Sequence, residues 1–260
     1  MTASNTAIKF EMITAEIGRI TLNQPDRRNA LSAQMWDDLV AVLQRARKNL
    51  DLKVLIITGA GDHFSAGADI SEFSTLYATP ESSAEISKKI SVALDALADF
   101  PKPTIAQISG ACVGGGAGIA IACDIRFADN SGKLAVTPGK IGLVYPFADV
   151  NRLVQTVGLS NAKDILFSAR LIKGPEAKSM GLINEILKKT ELEQYVKDYA
   201  QSICAISARS VQITKQMFKA ISQGQCHETP ETQQWFLEAF SSDDFKEGYT
   251  AFLEKRKPQF

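Results

Sequence analysis

Histidine is almost missing from this chain: His63 and His227 are the only two among 260 residues. Two imidazoles so far apart leave little material for a zinc centre or a Ser-His-Asp triad, which rely on histidine as ligand or base. The expectation is no metal. The four cysteines, Cys112, Cys123, Cys204 and Cys226, lack CxxC spacing, and read as reduced packing residues with no disulfide framework. Net charge is missing as well, with 29 basic side chains set against 29 acidic ones. No global field would draw nucleic acid or an anionic membrane to the surface, and no basic stripe argues for RNA. The opening "MTASNTAIKFEMITAEIGRI" has neither a basic start followed by an apolar core nor a small-residue cleavage site, so a cytoplasmic protein is expected. The uncharged run from Thr104 to Cys123 is about as long as a membrane span, but its glycines and scattered polar residues suit a buried strand, turn and helix.

What the chain does have is glycine, concentrated at two places. "GACVGGGAGIAIACD", Gly110 to Asp124, holds five glycines around a short apolar run, and "AGDHFSAGADI" is a second glycine-punctuated loop. Each follows a run that reads as a buried strand, "KPTIAQISG" and "KVLIITG". Upstream, "AIKFEMITAEIGRITLN" reads as two short strands. A helix follows with Ser32 as N-cap and Met35, Trp36, Leu39 and Leu43 on one apolar face. Residues 83–99 also read as helical. The fold class is α/β, with a core over residues 1–200. Beyond residue 200 the strand signals stop, and residues 201–260 read as successive helices rich in aromatics, a region that packs on the core or on another subunit.

Taken alone, "GGGAG" would serve as a tight turn or as an anion cradle. It departs from the dinucleotide fingerprint, since Gly114-x-Gly116 is followed at the sixth position by Ile119, and it has no Walker ending. Two glycine loops leaving successive strands offer something further. Two backbone N–H groups from different segments can converge on one oxygen, each worth about 3 kcal/mol in a transition state. A helix starting near Gly116 adds its positive dipole end.

The combination of "HFSAGADI" with "KPTIAQISGACVGGGAGIAIACDIRFA" resembles the enoyl-CoA hydratase/isomerase family, the crotonases. "PDRRNAL", "AKDILFSARLIKGPEAKSMGLINEIL" and "FLEKRKPQF" are similar to the same pattern, so the resemblance spans nearly the whole chain. It implies a spiral of ββα turns, a helical C-terminal trimerisation region, and a homotrimer or homohexamer. It implies an acyl-CoA thioester as partner, with no cofactor beyond the coenzyme A moiety of that substrate. By the family pattern, the Ala66 and Gly115 amides form the oxyanion hole. The backbone around Ala68, Asp69 and Ile70 lines the adenine pocket, and Arg28 and Lys257 are candidates for CoA phosphates.

One departure matters most. Crotonases that hydrate enoyl-CoA carry two glutamates, and the matching positions here are Gly118 and Gly139. Neither can move a proton, and such groups contribute about 100-fold to 10,000-fold each. Ordinary hydration should therefore be slow. The expectation is enolate chemistry without the glutamate pair, decarboxylation of a malonyl-type thioester first, since that needs a proton donor but no base. The donor should lie on "GKIGLVYPFADVNRL", with Tyr145 first and Asp149 second; their bland alternatives are a packing aromatic and a helix cap. Hydration or lyase chemistry through Tyr145 or Asp149 is the alternative, and a non-catalytic acyl-CoA-binding member is the alternative from another class. His63 reads as a locally bonded loop residue, Glu72 and Tyr77 as helix-face residues near the acyl pocket, and Asp124 as structural.

Overall fold

Alternating and 3.6-residue apolar patterns succeed each other along the chain, and each produces the element it predicts. In the computed structural model, residues 6–260 are described; residues 1–5, where the reading against a leader begins, lie outside the described residues. Strands β1 (Ile8–Met12) and β2 (Ile17–Leu22) pair antiparallel, Ile8 opposite Leu22. Helix α1 (Ala33–Arg47) begins at Ser32, whose hydroxyl accepts from the Met35 amide at 3.4 Å, and it buries Met35, Trp36, Leu39 and Leu43. In β3 (Val54–Gly59) four successive residues are buried, as an inner parallel strand covered on both faces requires.

The next elements repeat that unit with variations. After a short turn, α2 (Phe73–Leu76), comes α3 (Pro80–Ala98), capped by Thr79 in a capping box, then β4 (Thr104–Ile108) and β5 (Ala111–Val113). Helix α4 (Gly115–Ala122) leads to β6 (Ile125–Asp129) and β7 (Lys133–Ala135). Helix α5 (Phe147–Ser168) is two helices joined at Gly158, where φ is 77°. Then follow β8 (Ile172–Lys173), α6 (Gly174–Ser179), β9 (Glu185–Leu187) and α7 (Lys189–Cys204).

Two sheets result. The larger runs β1-β2-β3-β4-β6-β9, parallel throughout except at β1, and the smaller runs β5-β7-β8. Isolated parallel bridges, Leu31 with Ala68 and Ser65 with Cys112, extend the smaller sheet backward through the glycine loops. Each turn of the spiral thus adds a long rung to one sheet and a short rung to the other, and the short rungs carry the loops of interest.

Helix α7 lays Leu192, Val196, Ala200 and Cys204 across Ile17, Val54, Ile56, Ile105 and Phe127. The division expected at residue 200 falls inside this helix, because its buried face continues to Cys204. The separate helices are α8 (Ala208–Ser222), α9 (Pro230–Ala239) and α10 (Asp243–Leu253). No residue of α8 or α9 is buried, and Phe236, Phe240, Tyr249 and Phe252 are exposed. Among the described residues no helix is long and apolar enough to cross a membrane. Nor is any group of three or more His, Cys, Asp or Glu side chains placed to hold a metal ion. Cys112, Cys123 and Cys204 are buried; burial pushes the Cys123 thiol up to about 12, a packing residue's behaviour.

Candidate active site

The site begins at a residue whose type the local backbone demands. Arg28 and Asn29 both have left-handed backbones, φ 51° and 55°, a conformation that asparagine tolerates better than most residues. The turn buries the Asn29 side chain completely. Its Oδ1 accepts from the Gln24 amide at 2.9 Å, and its Nδ2 donates to the carbonyls of Ala60 and His63 at 2.9 and 2.6 Å. Its own carbonyl accepts from the Ser65 hydroxyl at 2.8 Å, and the same hydroxyl accepts from the Gly67 amide at 3.1 Å. One asparagine and one serine therefore fix the path of the first glycine loop. His63 joins them, its Nδ1 accepting from the Ala111 amide at 3.1 Å; the bond is not the local one expected but ties the first loop to the second across 48 positions.

The second loop presses directly on the first. Gly67 has φ +94°, and a Cβ there would stand 2.8 Å from the Val113 carbonyl oxygen. A Cβ on Gly116 would meet the Ser65 Cβ at 2.7 Å and its carbonyl oxygen at 2.9 Å. Real side chains cannot occupy those spaces, so both glycines are the condition for the loops to touch. Gly114, at φ 53°, turns the chain into α4, whose first internal bond runs from the Gly118 amide to the Gly114 carbonyl at 3.0 Å. The Gly115 amide precedes that bond and has no partner among the described residues, at the positive end of the helix.

The other expected donor requires a correction. The Ala66 amide donates to the Arg28 carbonyl at 2.9 Å and is not available to a ligand. The free amide is that of Ala68. In the parallel bridge between Leu31 and Ala68, the Leu31 amide bonds the Gly67 carbonyl at 2.7 Å and the Asp69 amide bonds the Leu31 carbonyl at 2.9 Å. The flanking residues satisfy the bridge, so the Ala68 N–H points away from it and has no partner among the described residues.

The missing carboxylates can now be placed. A Cβ on Gly118 would lie 3.4 Å from the Tyr145 hydroxyl oxygen and 3.4 Å from Leu94 Cδ1. The phenol thus occupies the room into which a side chain from residue 118 would grow. Its hydroxyl is buried without a hydrogen-bond partner, the one such side-chain atom among the described residues. Burial, with Asp149 adding to it, pushes the Tyr145 phenol well above its ordinary range, so it stays protonated. Gly139 differs: it is exposed, and nothing lies nearer to its Cβ position than the Leu166 carbonyl oxygen at 4.0 Å. Asp149 is buried in the first turn of α5 and is not its cap. Burial raises its carboxyl pKa, against the pull of Arg152, which lies 2.5 Å away.

Other expected residues fall around this centre. The Asp69 carboxylate turns inward, accepting from the Ser71 hydroxyl at 2.7 Å and pairing with Arg27 at 2.6 Å. The Ser71 bond leads in holding its pKa low, and Arg27 adds to it. Ile70 beside it is 75% exposed. The side chains of Arg27 and Arg28 are both exposed, and the one that pairs with this loop is that of Arg27, which sequence reading passed over; Arg28 meets the loop through its carbonyl alone. Lys257 accepts from Arg256 through its carbonyl and forms no hydrogen bond or ion pair with Arg28 or residues 66–70 among the described residues. Glu72 accepts from the Ala33 amide at 2.8 Å and helps to cap α1; Tyr77 packs edge-on against Phe73. Asp124 accepts from Thr104 and pairs with Lys215, a structural role. Asn29 and Ser65 were also missed; the "RRNAL" asparagine was the available signal.

Comparison with known proteins places this geometry. The family model for enoyl-CoA hydratase/isomerase matches residues 12–260. A crystal structure of an enoyl-CoA hydratase/isomerase family protein from Hyphomonas neptunium superimposes with a TM-score of 0.95 at 46% identity, covering 98% of this chain and 97% of that one. A short-chain-enoyl-CoA hydratase from Clostridium acetobutylicum is 33% identical over 248 residues, 93% of each chain. A peroxisomal Delta(3,5)-Delta(2,4)-dienoyl-CoA isomerase from Arabidopsis thaliana is 31% identical over 260 residues, 95% of this chain and 93% of that one. These relatives carry two different reactions on one scaffold, so likeness alone does not choose between them. The chain is an enzyme of the enoyl-CoA hydratase/isomerase family, the crotonases.

Proposed function

We propose that this protein binds an acyl-CoA thioester, holds its carbonyl oxygen with the Ala68 and Gly115 amides, and decarboxylates a malonyl-type acyl group, with Tyr145 as proton donor. The observation that carries this reading is the unpartnered Tyr145 hydroxyl beside Gly118. In such a step the bond between the α carbon and the carboxylate breaks, and its electron pair passes into the thioester to give an enolate and carbon dioxide. The two amides stabilise the enolate oxygen, each by about 3 kcal/mol. The Tyr145 O–H bond then breaks and its proton goes to the α carbon. No base is needed at any point, which suits a site with glycines at 118 and 139. Leu94 and the Tyr145 ring make the surroundings apolar, and an anionic carboxylate loses hydration there while its neutral product does not.

The backbone of residues 68–70 remains the adenine-lining candidate, and Arg28 and Lys257 remain the candidates for CoA phosphates. No cofactor is called for beyond the coenzyme A moiety. The exposed aromatics of α8–α10 support assembly into a trimer or hexamer, which light scattering would measure. A second reading, hydration or lyase chemistry, rests on the Asp149 carboxyl, whose raised pKa is what a general acid or base needs.

The test is incubation with malonyl-type, enoyl and aromatic acyl-CoA thioesters, followed by mass. Loss of carbon dioxide from a malonyl-type substrate is expected. Rapid addition of water to crotonyl-CoA would replace this reading with the second, and binding without turnover would make the chain a non-catalytic acyl-CoA binder.

A further inference from the structure

For the Ala68 and Gly115 amides to meet on one oxygen, the two glycine loops must keep a fixed separation, and a short parallel ladder joins them. The Ser65 amide donates to the Ala111 carbonyl at 2.8 Å, and the Val113 amide donates to the Ser65 carbonyl at 3.0 Å. One step earlier, the same pattern would have the Ala111 amide donate to the His63 carbonyl. That carbonyl is already taken by Asn29 Nδ2 at 2.6 Å. The His63 imidazole stands in for it, its Nδ1 accepting from the Ala111 amide at 3.1 Å. A side chain thus completes the first rung between the loops.

This rung differs from its neighbours in one chemical respect. A backbone carbonyl accepts at any pH, whereas an imidazole nitrogen accepts only while it carries no proton. The donor here is a backbone N–H, so a proton on Nδ1 would set two donors against each other. The ring also lies tight against the second loop: Gly110 has φ +54°, and a Cβ there would collide with the Asp62 carbonyl oxygen and with His63 Nδ1. His63 is half-buried, so solvent protons reach it. Three charged side chains surround this turn, and each is engaged elsewhere. Asp62 pairs with Lys189 of α7 at 2.5 Å, and Asp129 at the end of β6 accepts from the Ser109 hydroxyl at 2.6 Å.

We infer that His63 is a positioning residue for the oxyanion hole, and that the hole is aligned only while its Nδ1 is unprotonated. Protonation ends the Ala111 contact and pushes the loop bearing Ala68 away from the loop bearing Gly115. The carbonyl of a bound thioester then loses its two-amide grip, whatever reaction follows. The inference rests on the Ala68 and Gly115 reading of the hole and not on decarboxylation.

The experiment compares affinity for acetyl-CoA with affinity for S-ethyl-CoA, in which a methylene replaces the thioester carbonyl. The coenzyme A moiety titrates alike in both ligands, so the ratio of affinities reads the hole alone. Wild type should bind acetyl-CoA about tenfold more tightly at about pH 8, and the preference should vanish at about pH 5. His63→Asn sets an amide oxygen where Nδ1 stood and takes up no proton in this range, so it should keep the preference at both. His63→Leu offers no acceptor and should lack the preference at both, with circular dichroism to check its folding; if it unfolds, the Asn variant still decides. A wild-type preference that persists at the lower pH, or that the Asn variant loses in parallel, would overturn the role of His63 and leave the hole standing. So would a folded Leu variant that keeps the preference. No preference in wild type at either pH would overturn the hole reading itself, and this inference with it.

Discussion

Around the Ala68 and Gly115 amides nearly every polar group is tied to a distant part of the chain, whereas the segment from Pro138 to Phe147, which carries Tyr145, is held by bonds to its own neighbours. Asn29 reaches residues 31 and 34 positions away, and Ser65 reaches back 36. In the segment, Lys140 bonds Thr137, Gly142 bonds Gly139 and Leu143 bonds Pro138, and Val144 and Phe147 are 91% and 87% exposed. An oxyanion hole works only if its donors are in place before charge develops, so that half is over-determined. The half that decides what happens to the enolate carries fewer constraints, and substitutions there leave the frame intact. One scaffold can then host several reactions.

The comparison breaks first at Gly116. In Gly116→Val the new side chain would collide with Ser65, whose Cβ and carbonyl oxygen are 2.7 and 2.9 Å from the Cβ position. The Gly115 amide would shift with it, and turnover of any acyl-CoA should fall by about 100-fold to 1,000-fold. Steady-state kinetics beside a binding assay would check this; full activity would show that the contact is not what sets the hole. Asn29→Ala tests the same frame through stability. It removes a buried side chain that makes three hydrogen bonds and orphans their partners, so denaturant unfolding should show a loss of about 2–4 kcal/mol.

Across the divide, Tyr145→Phe should lower kcat by about 100-fold and leave KM nearly unchanged. Folding stability should not suffer, because the change deletes a buried hydroxyl without a partner. Its pH dependence has a definite sign. The folded-state phenol pKa is raised by burial, so above the ordinary tyrosine value of about 10 the folded protein holds a proton that the unfolded chain has lost. Wild-type stability should therefore fall as pH rises through that region, and the phenylalanine variant should lose this component. Identical alkaline unfolding curves would mean that the hydroxyl is not buried in solution.

How much of this was legible in the sequence divides along the same line. The strongly periodic elements, α1 with its apolar face and β3 with its unbroken buried run, follow from pattern alone, and so do both glycine loops. The choice between the Ala66 and Ala68 amides does not. It depends on which residue pairs with Leu31, and in extended backbone a shift of one residue turns every amide to the other side. Tyr145 could be singled out as a donor by type and segment, but its meeting with Gly118 depends on how an irregular stretch folds back on α4. The Arg27–Asp69 pair joins positions 42 apart, with no local spacing to announce it.

The smallest expected effect sharpens the comparison most, because it sets the two missing glutamates against each other. Gly118→Glu would grow its side chain into Leu94 and the Tyr145 hydroxyl, already 3.4 Å from the Cβ position, and such overpacking costs about 1–3 kcal/mol. Gly139→Glu meets nothing closer than 4.0 Å, and Gly139 φ lies outside the left-handed range. Its stability should change by no more than about 0.5 kcal/mol, as for other exposed positions. With one of two carboxylates restored and the phenol still filling the other place, only a trace of water addition to crotonyl-CoA is expected, at unchanged CoA affinity. Thermal unfolding of both variants with the hydration assay on Gly139→Glu decides the point. If Gly139→Glu unfolds as early as Gly118→Glu, the segment is as constrained as the frame. If it folds normally and adds water slowly, one half of the site can be rewritten while the other stays fixed.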